Sequence, residues 1–512
     1  LEMSSGLNAL LVLVLSTSFC HGGNILVFPA EGSHWINMDI LLQALHSRGH
    51  SLTVLRSSKS WYIKEHASHY KSFTVPVERS MDKKLITKFI SEFIQYQRGA
   101  LPIANFLHMS LGMIAALNDK GLMKTLNESK FDVMLTDPCW GGGVILAKYL
   151  NLPVVFNVRW LVPEESHFAI APSPLSYVPI VGSGNTDRMT FFQKVTNVFL
   201  YLVTQLQTYT AVQYVYQPVC DKFLGPNHDF NSLVLDADIW LMRTDFVFDY
   251  PRPTMPNVVY MGGFQCKPAK PLPEHLEEFV QSSGEHGVII MSLGTFVSEL
   301  PDDMANEIAA AFAKLPQKVI WRYKGKRPST LGNNTLVVDW MPQNDLLGHP
   351  KIKLFVAHGG TNGVQETLYH GVPVVGLPLF FDQYDNLHRL QARKGAKILS
   401  ITTVDKDDNF LKAIHEVLNE PSYRENMQRL SRLHRDQPVK PMDKALFWIE
   451  FVMRHKGAAH LKAQSYNMSW FSYHSVDVVL FLTAAVLLVL LTSFKFIRCL
   501  FRALCKRKVK HE

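Results

Sequence analysis

Short apolar runs alternate with amphipathic segments of helical length along most of the chain. In the first part, a helical pattern occupies residues 36–47, and strand patterns occupy residues 24–29, 51–55, 131–136 and 153–158. In the second part, a helical pattern occupies residues 304–315, and strand patterns occupy residues 287–293, 318–323, 335–338, 353–357 and 373–377. Strands that alternate with helices pack into parallel sheets, because the crossover helices cover both faces. The pattern therefore predicts two α/β halves, joined by the proline-rich residues 266–284.

The two ends of the chain have the patterns of targeting segments. Residues 7–19 form an apolar run of signal-peptide length, followed by small residues at 20–23. Residues 478–494 are apolar and uncharged, close to the minimum of ~17 residues for a membrane-spanning helix. Lysine and arginine follow directly, which predicts a cytosolic tail and luminal domains before it. The pattern is that of a single-pass type I membrane protein.

Composition limits the classes of function. The 512 residues are 47% hydrophobic and 19% charged, which suits globular domains with a membrane segment. The net charge is +8, but residues 495–512 carry seven Lys and Arg against one Glu. The rest of the chain is therefore nearly neutral, which excludes a basic surface for nucleic acid. Of the six cysteines, only Cys139, Cys220 and Cys266 fall in the predicted luminal part. Their odd number and wide spacing indicate neither a disulfide framework nor a zinc site.

Polar and glycine-containing motifs stand directly after several predicted strands. In open α/β sheets, ligands bind beyond the carboxyl ends of the strands. The motifs in that position are residues 32–34, Asp137, residues 294–295, His358 and Asp382. Their common placement predicts a ligand site at these strand ends.

Residues 340–383 hold the chemistry of a nucleotide-diphosphate site. The strand pattern at 353–357 runs into His358, Gly359 and Gly360 and then into a helical segment. Backbone N–H groups and a helix dipole meet there, which suits a diphosphate. The glycine spacing is not GxGxxG, and GxxxxGK[ST] does not occur, which argues against the usual dinucleotide fingerprint and against a P-loop.

Together with Gly-Ser-His-Trp at residues 32–35, this stretch resembles the signature of the UDP-glycosyltransferases, in particular the membrane-bound UDP-glucuronosyltransferases of animals. The resemblance covers nearly the whole chain. It implies an α/β protein of the GT-B class, with two doubly wound Rossmann-like domains facing a cleft, plus one C-terminal transmembrane helix. The implied segments are a signal peptide (1–22), an N-terminal acceptor-binding domain (23–265), a linker (266–285), a C-terminal UDP-sugar-binding domain (286–433), a returning helix and stalk (434–475), the transmembrane helix (476–494) and a basic cytosolic tail (495–512).

The resemblance implies a catalytic pair. His34 matches the family's general base, and imidazole has an ordinary pKa near working pH. Asp137 matches the partner that orients such a base. Each residue alone is weak evidence, since a histidine is more often a surface residue and an aspartate before proline more often caps a turn or helix. The expected reaction is an inverting, metal-independent single displacement onto a hydroxyl of a small lipophilic acceptor, with no cofactor and with UDP-glucuronic acid as co-substrate.

The UDP-sugar contacts are also implied by position. The expected roles are uracil stacking on Trp340, a hydrogen bond to the uracil edge from Gln343, ribose binding by Glu366, diphosphate binding by His358, Gly360, Asn362 and Thr295, and sugar-hydroxyl binding by Asp382 and Gln383. For Trp340, the ordinary alternative is a core tryptophan at a strand end.

Two positions depart from the family pattern. Phe381 stands where a small residue is usual, and Gln365 stands where an aromatic residue is frequent. A glucuronate carboxylate also needs a cation, for which Arg252 and Arg159 are unranked candidates. Transfer from UDP-glucose, UDP-galactose or UDP-N-acetylglucosamine therefore stays open. A catalytically silent partner subunit is the alternative of another class, and homo- or hetero-oligomerisation is also open.

The acceptor and the cellular setting are less directly encoded. Residues 101–117 and 196–216 are apolar and aromatic-rich. Such segments line an acceptor site, rest on a membrane or belong to the core, and the core is the commoner case. The lysines near the C-terminus resemble a dilysine signal, so the expected location is the endoplasmic reticulum membrane. The family resemblance implies a role in xenobiotic conjugation. Luminal sequons would be glycosylated at Asn127, Asn333 and Asn467.

Overall fold

The computed structural model describes residues 22–77, 114–159, 165–295, 297, 299–404 and 408–508. The chain divides into two compact units, Leu1–Leu461 and Lys462–Glu512. The predicted signal peptide, apart from Gly22, lies outside the described residues, and so do residues 101–113 of the first apolar segment.

The larger unit alternates strands and helices throughout. Its strands are β1 (Asn24–Phe28), β2 (Ser51–Ser57), β3 (Lys71–Val75), β4 (Val133–Thr136), β5 (Val154–Val158), β6 (Ile239–Met242), β7 (Val258–Tyr260), β8 (Val288–Ser292), β9 (Lys318–Arg322), β10 (Thr335–Val338), β11 (Ile352–Ala357), β12 (Val374–Gly376) and β13 (Ala396–Ile398). Its α-helices are α1 (Ser33–Ser47), α2 (Lys120–Glu128), α3 (Gly142–Tyr149), α4 (Ser166–Ile170), α5 (Phe191–Ala211), α6 (Gln217–Leu224), α7 (Phe230–Leu235), α8 (Glu274–Gln281), α9 (Asp302–Ala313), α10 (Gln343–Leu347), α11 (Thr361–His370), α12 (Gln383–Ala392), α13 (Asn409–Asn419), α14 (Pro421–Arg435) and α15 (Pro441–His455). Short 3-10 turns lie at Ala115–Asn118, Ile401–Thr403 and Ala459–Leu461, and a π-helical turn lies at Val212–Tyr216.

The first lobe is built on a parallel sheet in the strand order β3-β2-β1-β4-β5-β6-β7. Its central strands are buried nearly throughout, which explains their continuous apolar runs, since helices cover both faces. Val27 of β1 pairs with Val54 of β2 on one side and with Leu135 of β4 on the other. The strand order reverses between β1 and β4, and such a switch point is where doubly wound sheets bind ligands.

The second lobe repeats this arrangement with the order β10-β9-β8-β11-β12-β13, again with parallel pairs. The prediction of two Rossmann-like α/β halves is therefore confirmed. Sequence patterns missed β3, β6, β7 and β13. The strands β7 and β13 have three residues each, too few for a periodic signal.

The chain crosses between the lobes twice. Within the predicted linker, α8 forms and buries Leu276 and Val280 in the core of the second lobe. Helix α15 follows the second lobe in sequence but packs into the core of the first, where Leu446, Ile449 and Val452 are buried. Their spacing of three residues places them on one helix face.

Helix α5 contains much of the second apolar segment, residues 196–216. Only Asn197 and Ala211 are buried in this helix. Phe192, Phe199 and Leu206 are each more than 60% exposed. The interpretation of this segment as a core helix is therefore wrong, and the helix presents an apolar surface.

The smaller unit contains a short helix, α16 (Trp470–Tyr473), and the long helix α17 (Val476–Lys508). The segment Val476–Ala503 within α17 is long and apolar enough to cross a bilayer, and its most hydrophobic stretch is not buried. The helix continues past residue 494 because the basic residues that follow are good helix formers. This apolar helix fits a membrane anchor.

Replacing Ile449 with alanine should lower the stability of the larger unit, because the change leaves a cavity in the first lobe's core. Such substitutions cost about 2–5 kcal/mol. The matched control is Leu433→Ala on α14, where the side chain is 51% exposed, with an expected effect within about 0.5 kcal/mol. Thermal unfolding of both variants in detergent tests this. Equal midpoints would contradict the packing of α15 into the first lobe.

Candidate functional site

A cavity of ≈ 270 Å³ opens between the two lobes, at the carboxyl edges of both sheets. Loops that follow β1, β4 and β5 contribute to its walls from the first lobe, and loops that follow β8 to β12 contribute from the second. Nine of the eleven residues predicted from the sequence line it: His34, Thr295, Trp340, Gln343, His358, Gly360, Asn362, Glu366 and Gln383. The other two, Asp137 and Asp382, bind the lining residues His34 and Arg159 from behind.

His34 lies in the first turn of α1, directly after the turn at Gly32. Gly32 has φ 69, a left-handed conformation that glycine adopts without strain. The Nδ1 atom of His34 lies 2.7 Å from Oδ2 of Asp137, and both side chains are buried. The backbone N–H of Cys139 donates to the other carboxylate oxygen of Asp137 at 2.9 Å. The carboxylate is thus fixed from two sides, and it fixes the imidazole ring.

Burial lowers the pKa of His34 below its ordinary value, although Asp137 opposes the effect. Burial alone would raise the pKa of Asp137, but the hydrogen bond to His34 and the charge of Arg243 hold that pKa below its usual value. A neutral imidazole can donate from Nδ1 to the ionised carboxylate of Asp137, and Nε2 is then the nitrogen that can take up a proton. This is the protonation state that a general base requires.

The thiol of Cys139 completes a cluster in which the ligand-type atoms of His34, Asp137 and Cys139 lie within 4.8 Å of one another. Burial, followed by the charge of Asp137, raises the pKa of Cys139 well above its ordinary value. The turn after β4 brings Asp137 and Cys139 together beside His34, with the Cys139 N–H bound to Asp137.

In the second lobe, the ring of His358 lies close to Gly294 and Gly360, and the lack of side chains on these glycines makes room for it. A Cβ atom on Gly294 would lie 2.5 Å from Nε2 of His358, and one on Gly360 would also collide with that ring. Burial, together with the charge of Arg159, lowers the pKa of His358 to about 4. The ring is therefore neutral, and the N-terminus of α11 begins at Thr361, three residues after it. A helix N-terminus and a neutral hydrogen-bonding ring suit an anionic group.

Glu366 lies in α11, and its Oε2 accepts a hydrogen bond from Nε2 of Gln343. Burial raises the pKa of Glu366 to about 7, and the bond from Gln343 opposes the rise. Trp340 is 70% exposed at the mouth of the cavity. The alternative of a core tryptophan is therefore wrong, and an aromatic face, an amide and a carboxylate stand together in one wall.

Asp382 connects the lobes through Arg159. The Nη2 atom of Arg159 donates to Oδ1 of Asp382 at 3.2 Å, and Nη1 donates to Ser33 Oγ at 2.7 Å. Thr361 and Asn386 donate to the other oxygen of Asp382, each at 2.9 Å. Burial alone would raise the pKa of Asp382, but Arg159 and these hydrogen bonds keep it below its ordinary value. The carboxylate is ionised and pre-oriented at the N-terminus of α12.

Three further residues, Gln383, Phe381 and Gln365, have environments other than a simple contact with the donor. The side-chain oxygen of Gln383 accepts from the backbone of Leu379 at 2.8 Å, so it shapes the loop before α12. Phe381 lines the cavity with φ 56, an unusual conformation for a bulky residue. Gln365 is 1% exposed and is not a lining residue.

The two arginines proposed for a sugar carboxylate occupy different places. Arg159 lines the cavity. Arg252 donates to Glu165 at 2.6 Å and to Ser173 at 2.7 Å, and it is not among the lining residues.

Three charged residues near the site follow the same strand-end rule but were not found from the sequence. Glu31 follows β1 and lines the cavity, as does Arg322 at the last position of β9. Arg243 directly follows β6, a strand that the pattern missed. Applying the strand-end rule to the predicted strands β1 and β9 would have found Glu31 and Arg322, whereas Arg243 could be found only once β6 was known.

Comparisons with known proteins agree with this architecture. The family model described as "UDP-glucoronosyl and UDP-glucosyl transferase" matches residues 23–511. UDP-glucuronosyltransferase 2A2 of Mus musculus is 44% identical, with 94% of this chain and 93% of the relative covered. UDP-glucuronosyltransferase 2B15 of Homo sapiens is 44% identical, with 98% of each chain covered.

Solved structures confirm the GT-B fold class. The glycotransferase of kitacinnamycin superposes with a TM-score of 0.57 at 19% identity, covering 84% of this chain and 99% of its own. A UDP-glucosyltransferase from Polygonum tinctorium gives a TM-score of 0.57 at 16% identity, covering 85% of this chain and 99% of its own. The chain belongs to the family of UDP-glucuronosyl and UDP-glucosyl transferases.

Proposed function

We propose that this protein transfers glucuronic acid from UDP-glucuronic acid to a hydroxyl of a small lipophilic acceptor, with inversion and without a metal ion. The observation that carries the proposal is the buried 2.7 Å contact between His34 and Asp137. His34 lines the same cavity as Glu366, Gln343 and His358. The 44% identity to named UDP-glucuronosyltransferases supports the donor sugar.

In the proposed reaction, the acceptor oxygen attacks the anomeric carbon from the side of His34. The new carbon–oxygen bond forms as the bond from that carbon to the diphosphate oxygen breaks, and UDP leaves. The acceptor proton passes to Nε2 of His34, because Nδ1 is held by Asp137. Asp137 keeps the ring oriented and stabilises the imidazolium that forms.

The departing UDP carries its charge toward the second lobe. There the N-terminus of α11 and the backbone N–H groups of Gly360 and Asn362 offer fixed dipoles, and Arg322 lines the same cavity. Preorganised dipoles in a partly buried site stabilise a leaving anion without reorganisation. These groups support a reaction in which no metal ion is needed for the diphosphate.

The donor carboxylate would be recognised by Arg159. This arginine lines the cavity and already binds the carboxylate of Asp382, whereas Arg252 is committed to Glu165. UDP-glucose, UDP-galactose and UDP-N-acetylglucosamine are the second candidates, because Phe381 lines the cavity where the family usually has a small residue. A silent partner subunit is disfavoured by the intact His34 and Asp137 pair.

We also propose a type I topology in the endoplasmic reticulum, with the lobes in the lumen. The apolar helix α17, followed by basic residues, supports an anchor with a cytosolic tail. Such a placement would bring the enzyme to acceptors that partition into the membrane.

Replacing His34 with alanine should abolish turnover while UDP still binds. Loss of a general base costs about 10²–10⁴-fold in rate, and the UDP contacts belong to the second lobe. UDP release from UDP-glucuronic acid, and from UDP-glucose in parallel, is measured with a panel of phenols, and UDP binding is measured by calorimetry. The matched control is His46→Ala, at an exposed position of the same helix. Unchanged turnover in His34→Ala would remove the base assignment, and a preference for UDP-glucose would remove the glucuronyl assignment.

UDP should bind more weakly as the pH falls through about 7, the pKa of Glu366 in the unliganded protein. The ribose hydroxyls donate hydrogen bonds, so the ionised carboxylate of Glu366 is the better acceptor. Below this pH, Glu366 must lose its proton before UDP can bind well. Glu366→Gln should weaken UDP binding by roughly tenfold and flatten this dependence. The phosphate of UDP titrates equally with both proteins, so their difference isolates Glu366. Glu425→Gln at an exposed position is the control, and an identical pH dependence in Glu366→Gln would contradict ribose binding by this residue.

Glycosidase treatment should increase the gel mobility of the membrane-expressed chain. The sequon residues Asn127, Asn333 and Asn467 are all exposed, and they would be modified only in the lumen. A variant with all three replaced by glutamine should show no shift. Absence of a shift in the wild-type chain would argue against the luminal topology.

A further inference from the structure

Arg243 stands outside the cavity lining, yet it contacts the helix that carries His34. It directly follows β6 and is 5% exposed. Its Nη1 atom donates to Oδ1 of Asn37 at 2.8 Å. Asn37 lies three residues after His34 in α1, so both residues occupy neighbouring turns on one helix face. Arg243 therefore holds the helix turn next to the proposed base.

The guanidinium of Arg243 has more hydrogen-bonding capacity than the structure uses. Its Nε and Nη2 atoms find no hydrogen-bond partner among the described residues. A buried cation with unsatisfied donors is costly unless an opposite charge lies nearby. Burial lowers the pKa of Arg243 to about 10, and Asp137 is the strongest opposing influence. The side chain therefore stays protonated at neutral pH, with Asp137 as its main counter-charge.

We propose that Arg243 is a positioning residue of the transfer reaction: it fixes the α1 turn through Asn37 and places a permanent positive charge behind the His34 and Asp137 pair. The proposal rests on the proposed function of His34 as the base. Arg243 is not among the described residues that line the cavity, so its effect passes through the pair.

The charged groups around His34 act in opposite directions. Asp137 favours the protonated imidazole, whereas Arg159 and Arg243 disfavour it. Arg159 lines the cavity and bridges to Asp382, so its removal would also alter the donor region. Arg243 is the cation whose removal changes the electrostatics of His34 from the buried side alone.

The sign of the effect follows from these roles. A base is active when neutral, so the rate falls on the acid side as His34 gains a proton, with a midpoint below its ordinary pKa of 6.5. Removing the charge of Arg243 should raise the pKa of His34 and move this acid limb to higher pH. Removing the charge of Asp137 should move it to lower pH. A loss of packing alone would reduce the rate without such opposite shifts.

The test is the pH dependence of kcat/KM for a non-ionising aliphatic alcohol with the full-length, detergent-solubilised protein. UDP-glucuronic acid is kept saturating at every pH, so that the titration of Glu366 in the unliganded protein does not enter the acid limb. In Arg243→Met, the acid limb should move upward by roughly half a unit or more and the rate should fall. Arg243→Lys should restore the midpoint because it keeps the charge. In Asp137→Asn, the limb should move downward. Arg454→Met, at a 51% exposed side chain, is the control for arginine loss.

An acid limb that stays in place in Arg243→Met would overturn the proposal, provided that its thermal unfolding shows a folded protein. If that variant does not fold, Arg243→Gln replaces it and decides by the same shift. The two assignments fail separately. Full turnover in His34→Ala would overturn the base assignment and this inference together. Loss of turnover in His34→Ala with an unmoved limb in the Arg243 variants would overturn this inference alone.

Discussion

The parallel pairing of β1 with β4 is the contact on which the site depends. Phe28 pairs with Thr136 at the carboxyl ends of these strands. The residues that follow, His34 and Asp137, are 103 positions apart in sequence but meet at 2.7 Å. A slip in this register would move Asp137 to another level of the sheet edge and break the hydrogen bond between two buried polar side chains. The pairing of these two strands therefore determines whether His34 and Asp137 can meet.

Burial also sets the pKa of the histidine in this pair. In water, a histidine beside an aspartate would be more easily protonated, whereas here desolvation lowers the pKa of His34. The second lobe uses burial on different groups, since it keeps His358 neutral and raises the pKa of Glu366 to about 7. The cavity thus combines neutral rings, a titrating carboxylate and fixed backbone dipoles, which suits binding and release of a diphosphate group.

Much of this arrangement was predictable because it is local in sequence. Apolar strand patterns, each followed by a polar or glycine motif, located His34 and Asp137 at the carboxyl edge of the first sheet and His358 at that of the second. The remainder depends on tertiary contacts. The cross-lobe bond of Arg159 to Asp382 joins residues 223 positions apart, and Arg243 follows a strand of four residues. The exposure of α5 is likewise set by what surrounds it, since a core helix and a surface helix have similar apolar composition.

The path of helix α15 has a consequence for how the polypeptide is assembled. The first lobe's core is completed by Ala445, Leu446 and Ile449, which are synthesised after the entire second lobe. In a ribosome-bound chain that ends before these residues, the apolar residues of the first lobe that α15 covers would be exposed to solvent. Maturation of the first lobe is thus postponed until translation has passed the second, and the first lobe is not a self-sufficient fragment.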